Sequence, residues 1–450
     1  MCINKIIISA GYCHGLTDRV RLTGFASQLS LAICLSWLIL FQGCAPLGPY
    51  HRNSASLIQK PEFSLAFIEF GEQGSYQDGS QLERAVKVIK ETERPLVVTY
   101  VHGWQNNAVS ADVGRFRNLL SELSNSSSVR KSNFHVIGVY LGWRGKLTGI
   151  PVVAELTFWS RKAAAERLAS NFDLYNAIAA IAHAARAYHE KDKQYTLLLG
   201  HSFGGLIVER AVAHAASAAM NGLAVSQQDL PADLIVALNP ASDSIITREM
   251  IAALYSRHLE GTRQFVISLT SAGDSATGLW FPIGTTIAAV SKVFDPVTVP
   301  GSSDKVVSEH RFYTSTPGHN DLLVNRKTVN LNRTVDNPSG KSAFEYNLSA
   351  DIENDTFAIP EGPNISNSFG LWRFCPVKKP FEAPDVPYWD VAVDPQIIKN
   401  HGDIWNDRAL AMVAAIFRMN FPLPLQAAPQ RVHLKPKPNL EKAPDYNRLY

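Results

Sequence analysis

The stretch Tyr195-Thr196-Leu197-Leu198-Leu199-Gly200-His201-Ser202-Phe203-Gly204-Gly205-Leu206-Ile207-Val208 decides how this chain is read. Its apolar head, 195–199, has the length and composition of a short strand buried on both faces. Its tail, 205–213, carries the apolar spacing of a helix. Between them stands Gly200-x-Ser202-x-Gly204. A strand that turns at once into a helix leaves little room, so glycines flank the turn and the serine hydroxyl is pushed outward. The pentapeptide is short enough to arise by composition, as a glycine-rich strand-to-helix turn and nothing more. Its strand and helix frame is what makes Ser202 a candidate nucleophile.

Outward from this turn the chain alternates strand and helix patterns. Residues 63–70 read as a strand, 79–92 as a helix with Leu82, Val86 and Ile89 on one side, and 95–101 as a more apolar strand. That strand runs directly into His102-Gly103-Trp104. A helix over 113–123 and a strand over 134–141 follow, then Gly142-Trp143-Arg144-Gly145. The alanine-rich run 161–189 predicts one or two helices. After the Ser202 turn come a strand at 233–239, a helix at 247–258 and a strand at 264–270. Alternation of this kind argues for an α/β fold, a mostly parallel sheet with helices on both faces. From 277 to 387 the pattern fails among Pro, Gly, Asn and Ser, which reads as a cap-like, irregular insertion before the last strand. A strand at 388–393 and a helix at 408–419 restore it. The body is therefore 63–421, preceded by a polar linker, 45–62, and followed by a proline-rich basic tail, 422–450.

The 450 residues are 46% hydrophobic and 18% charged, enough to bury a sizeable core. A net charge of +3, with no long basic run and no Walker sequence, argues against nucleic acid as a partner. The histidines are scattered and none pairs with acids at ligand spacing, so no metal or other cofactor is expected. Four of the five cysteines, Cys2, Cys13, Cys34 and Cys44, lie in the first 44 residues, leaving Cys375 alone in the body. A lone cysteine cannot close an intrachain disulfide, so the body relies on packing, with Cys375 read as buried and inert.

The first 44 residues read as an address. Arg19 and Arg21 precede an apolar stretch from Phe25 to Phe41, which ends in Gln42-Gly43-Cys44-Ala45. The Gly-Cys resembles a bacterial lipobox, in which the cysteine becomes the acylated first residue, although Phe41 and Gln42 stand where Leu and a small residue are usual. Three readings stay open: lipidation at Cys44, cleavage without lipidation, or an uncleaved membrane anchor. Each puts the body outside the cytoplasm, and the first makes it a membrane-anchored lipoprotein facing the periplasm or cell exterior.

The succession from Phe63 to Met419, with its Gly-x-Ser-x-Gly turn and a strand ending in His102-Gly103, resembles the α/β-hydrolase fold. The resemblance implies a serine nucleophile, an acid and a histidine in that chain order. A serine hydroxyl needs a base to take its proton. His401, in Asn400-His401-Gly402-Asp403 between the last strand and last helix, is the leading base, and His319, in Pro317-Gly318-His319-Asn320, is the alternative. Asp274, just past the strand at 264–270, is the leading acid, and Asp243, past the preceding strand, is the alternative. The oxyanion donors expected are the backbone N–H groups of Phe203 and Trp104. His102 reads as holding its loop, and Gln105 and Asn106 as lining the acyl side of the pocket. Trp143, Trp280, Phe281 and Trp372 are candidates for an apolar substrate wall. The activity implied is hydrolysis of a small-molecule or lipid ester through an acyl-enzyme. A membrane-associated acyltransferase or phospholipase would use the same residues, and a non-catalytic binding protein would need only the fold.

Overall fold

The central strands are apolar at nearly every position because helices cover both faces of the sheet they form. In the computed structural model this sheet has eleven strands. The structure describes residues 48–186, 195–220, 231–256, 265–298, 306–323, 326–331, 367–369, 372–376 and 387–420. A short strand, β1 (Leu57–Gln59), lies antiparallel to β2 (Phe63–Glu69) at one edge. The strands β3 (Pro95–Val101), β4 (His135–Gly142), β5 (Thr196–His201), β6 (Leu234–Leu238) and β7 (Phe265–Ser271) continue it in parallel, in the order β2-β4-β3-β5-β6-β7. Every parallel strand thus points its C-terminal end to the same edge, and that edge carries the site.

Side chains alternate across the sheet with period two, and the core divides accordingly. Leu96, Val98 and Tyr100 of β3 join one cluster, with Phe116 and Leu120 of α2 (Ala111–Asn125) and Ala411 and Ile416 of α11 (Asp407–Asn420). Val97 and Val101 face the other way. They join Ala85 and Ile89 of α1 (Ser80–Glu91), Ala165 of α5 (Phe158–Ala169), Ile178 of α6 (Phe172–Arg186), Ile207 of α7 (Phe203–Met220) and Ile246 of α8 (Ser244–Ser256). Two small helices, α3 (Ser127–Lys131) and α4 (Pro151–Leu156), complete the first half. The alanine-rich run is indeed two helices, α5 and α6, broken at Ser170 and Asn171.

Among its described residues, the segment expected to be irregular contains regular elements. It holds a π-type turn (Ala276–Trp280), α9 (Phe281–Ala289), a small hairpin of β8 (Pro296–Thr298) and β9 (Val306–Ser308), and α10 (His310–Tyr313). It then supplies β10 (Arg326–Leu331), β11 (Asn367–Phe369) and β12 (Trp372–Pro376) to the main sheet. The last strand in sequence, β13 (Tyr388–Val393), is therefore an interior strand. It pairs in parallel with β7, Tyr388 opposite Val266, and on its other side with β10, Arg326 opposite Asp390. The excursion caps the sheet's edge with strands and does not merely pass over it. The sequence hid them because β10 and β12 alternate apolar with polar residues, a weaker signal than the all-apolar interior strands. Residues 1–47 and 421–450, with the apolar stretch, Cys44 and the basic tail, lie outside the described residues. Among the described residues no helix is long and apolar enough to cross a membrane.

Candidate active site

The turn after β5 is as tight as its glycines imply. Ser202 has φ of 57°, a left-handed conformation that costs an ordinary residue about 1 kcal/mol or more. The Ser202 carbonyl holds the turn closed by accepting from Gly205 N (2.9 Å) and Ala241 N (3.0 Å), while Ser202 N donates to Leu238 O (3.0 Å). Gly204 sits against the end of β3, where any Cβ would collide with the Val101 carbonyl. Gly103 meets the turn from the other side, since a Cβ there would stand 2.6 Å from Ser202 Cβ. Gln105 and Asn239 also have positive φ, 61° and 43°. Three of the five such non-glycine residues among the described ones therefore surround one point, a clustering of backbone strain that marks functional sites.

His401 reaches this point from the loop between β13 and α11. Its Nε2 lies 2.8 Å from Ser202 Oγ, and its Nδ1 lies 2.8 Å from Asp274 Oδ2. An ionised carboxylate only accepts, so Nδ1 carries the ring proton and Nε2 is the acceptor for the serine hydroxyl. The sequence separations are 199 and 127 residues, so only the fold brings the three together. The Asp274 side chain is fully buried, whereas His401 keeps about a quarter of its surface exposed (0% and 26%). Burial opposes the charge on Asp274, but the bond to His401, the imidazole's charge and two bonds from Thr277 outweigh it and hold the carboxyl below its ordinary range. Its two oxygens divide the work. Oδ1 caps the following turn, accepting from Ala276 N (2.9 Å) and Thr277 N (3.1 Å), while Oδ2 takes Thr277 Oγ1 (2.6 Å) and His401.

Both alternatives fall outside this relay. His319 Nε2 lies 3.3 Å from Thr277 Oγ1, behind the acid. Asp243 is buried against Lys162 Nζ (2.9 Å), a cation also bound to Glu166 (2.6 Å). His102 holds its loop as expected: Nδ1 donates to Gly103 O (2.9 Å) and Nε2 accepts from Trp143 N (3.0 Å). Both ring nitrogens are occupied, and burial lowers its pKa, keeping the ring neutral.

Trp104 and Phe203, the expected oxyanion donors, belong to the two loops that meet at Gly103 and Ser202. Phe203 opens α7, where the first N–H groups have no carbonyl within the helix. The Phe158 ring ties the two loops together, 5.1 Å from Trp104 and 5.1 Å from Phe203. The substrate-wall expectation fails for two of its four members. Trp143 is buried, donates Nε1 to His102 O (2.8 Å) and stacks on the His102 ring, so it braces the loop. Phe281 is wholly buried in the core. Trp280 is exposed, and the Trp372 side chain lies outside what is described. Gln105 donates to Glu155 Oε1 (2.9 Å), and Asn106 to the Trp104 carbonyl (3.4 Å).

Three residues that the sequence did not single out hold the His401 loop. Asn239, fully buried, donates to Asn400 O (3.3 Å) and His401 O (3.0 Å), and its Oδ1 accepts Ser271 N (2.8 Å). His201 Nε2 donates to the same His401 carbonyl at 2.9 Å. Burial, then the nearness of His401, lowers the His201 pKa to about 4, so it serves as a neutral donor. Ser271 Oγ donates to Ile398 O. The Asn239 signal was its position at the end of β6; nothing in the sequence says which loop it would grip.

A cavity of about 240 Å³, lined by Lys60, Phe63 and Arg117 among others, lies at the opposite end of β2, away from Ser202. The chain matches no family model, no curated protein and no solved structure.

Proposed function

We propose that this chain is a serine hydrolase of the α/β-hydrolase type, cleaving carboxylic esters through an acyl-enzyme. The observation that carries the reading is the relay of two 2.8 Å contacts from Ser202 through His401 to Asp274. Its chain order, nucleophile then acid then histidine, and its place at the C-terminal ends of parallel strands support the same reading. Ser202 Oγ attacks the ester carbonyl carbon while His401 Nε2 takes the hydroxyl proton. The carbonyl π pair moves onto oxygen, where the Phe203 and Trp104 N–H groups receive the charge. Collapse expels the alkoxide, which leaves as the alcohol with the proton from His401. Water, deprotonated by His401, then attacks the acyl-serine; collapse breaks the acyl–Oγ bond, His401 returns the proton to Ser202 Oγ, and the carboxylic acid departs. Asp274 stays ionised throughout, fixing the tautomer and stabilising the imidazolium. The substrate class is a small-molecule or lipid ester. The body acts outside the cytoplasm, a reading supported by Arg19, Arg21, the apolar stretch and Cys44.

The test is labelling by a fluorophosphonate probe. Wild type takes the label, and Ser202→Ala loses it together with p-nitrophenyl ester turnover, by roughly six orders of magnitude. Labelling that persists in Ser202→Ala overturns the nucleophile. A wild type that neither labels nor turns over esters overturns the ester-hydrolase reading. Supplying an alcohol acceptor and analysing products separates hydrolysis from acyl transfer.

A further inference from the structure

The helix α9 is apolar on both sides. Phe281, Thr285 and Ala289 face the core, while Trp280, Ile283, Ile287 and Val290, spaced as one helical stripe, are 66%, 44%, 69% and 84% exposed. α9 carries no charge and no polar residue but Thr285 and Thr286, so apolar surroundings on its outer side would match those on its inner one. The stripe continues onto the neighbouring helices. The Trp159 indole lies where a Cβ of Gly284 would stand, and Trp159 and Leu156 are themselves exposed. The patch is continuous with the active site, because Trp159 packs edge-on against Phe158 (5.0 Å), the ring that ties Trp104 to Phe203. From the other direction, α9 follows Asp274 by one turn.

The second observation is where the first described residues sit. Glu69, at the C-terminal end of β2, accepts Tyr50 N (2.8 Å), His51 N (2.8 Å) and Gln81 Nε2 (3.2 Å). Tyr50 OH accepts from Asn107, in the loop that follows Trp104. Tyr50 and His51 are thereby sewn to the same edge of the sheet that carries Ser202. Cys44 lies six positions before Tyr50, a reach of at most about 20 Å. An anchor at Cys44, if the proposed lipidation holds, would therefore attach within that reach of the edge that carries Ser202.

We propose that the outer face of α9, with Trp159 and Leu156, docks on a lipid bilayer, turning the Ser202 edge of the sheet toward the membrane. An exposed tryptophan among branched aliphatics is the composition that seats at a headgroup boundary. A second copy of the chain fits less well. The patch offers six exposed apolar side chains, against the roughly 20 to 30 residues a side that a stable dimer interface uses.

The test uses the full chain in phosphatidylcholine vesicles with brominated acyl chains. Tryptophan quenching should fall measurably from wild type to Trp280→Phe. A second readout rests on the hydrolase reading: Ile283→Ser/Ile287→Ser should lower turnover of a vesicle-borne ester about tenfold or more, while turnover of a soluble short-chain ester stays unchanged. Equal quenching in wild type and Trp280→Phe overturns the proposal. So does failure of acrylamide to reach Trp280 without vesicles, which would mean that the chain covers its own patch. Loss of a dimer in Ile283→Ser/Ile287→Ser would instead assign the face to a second copy. Absence of any ester turnover defeats the hydrolase reading and leaves the quenching result standing.

Discussion

Asp274 and Glu209 are both buried carboxylates beside the Ser202 turn, and their pKa values are shifted in opposite directions. Asp274 gathers two backbone amides, a hydroxyl and the His401 ring, so it stays charged below its ordinary range. Glu209, seven residues into α7, offers one oxygen to Ser242 Oγ (2.5 Å) and Thr247 Oγ1 (2.9 Å). Burial pushes it up to about 7, and those two hydroxyls do not reverse the effect. Burial alone therefore does not decide a carboxylate's charge. The donors do, and an imidazole able to share charge outweighs neutral hydroxyls.

Exchanging the two carboxylates for amides gives the sharpest contrast. Asp274→Asn should lower kcat by about four orders of magnitude, since an amide no longer fixes the His401 tautomer. Glu209→Gln should keep ester turnover within about twofold, because Glu209 touches none of the reacting groups. Similar losses in both variants, measured with p-nitrophenyl esters, would erase the distinction.

A smaller effect is expected where the Asp274 neighbourhood is braced from outside. Asn239→Ala removes two donors from the His401 loop and should reduce kcat about 10- to 100-fold with little change in KM. Circular dichroism should show a folded protein. A variant that loses activity only by unfolding would make Asn239 a core residue and not a positioning one.

The Glu209 neighbourhood answers in stability. Its folded pKa lies above the unfolded value, so the folded state binds more protons between about 4.5 and 7. Its contribution is complete below that window and is lost as pH rises through it, about 3 kcal/mol in all. His201, with its folded pKa lowered, acts in the opposite sense, gaining stability as pH rises from 4 to 6.5. The difference between wild type and Glu209→Gln cancels that contribution. Urea unfolding at pH 5 and pH 8 should show Glu209→Gln gaining on wild type at the higher pH. An unchanged difference would mean that Glu209 is ionised in the fold.

Much of this was legible in the chain. The strand, turn and helix around Ser202 follow from local sterics, since Gly200 and Gly204 leave no other residue room, and the all-apolar strands announced a sheet covered on both faces. His401 and Asp274 could be named because loops at strand ends converge on one edge of a parallel sheet. Others were illegible for a common reason. Trp143 and Trp280 look alike in sequence, yet one braces His102 and the other is 66% exposed. Aromatic character gives no direction, and only packing partners separate them.

By itself, then, the sequence determined the Ser202 turn, the alternation of strand and helix, and a short set of partners for the serine. These depend on backbone sterics and hydrophobic periodicity, which act over a few residues. Tertiary structure decided which histidine meets Ser202 Oγ, that Asp243 is turned to Lys162 while Asp274 is turned to His401, and that the excursion adds strands beyond β13. Those outcomes depend on contacts spanning 60 to 200 residues, whose geometry is set by the register of the sheet and not by any local run of amino acids.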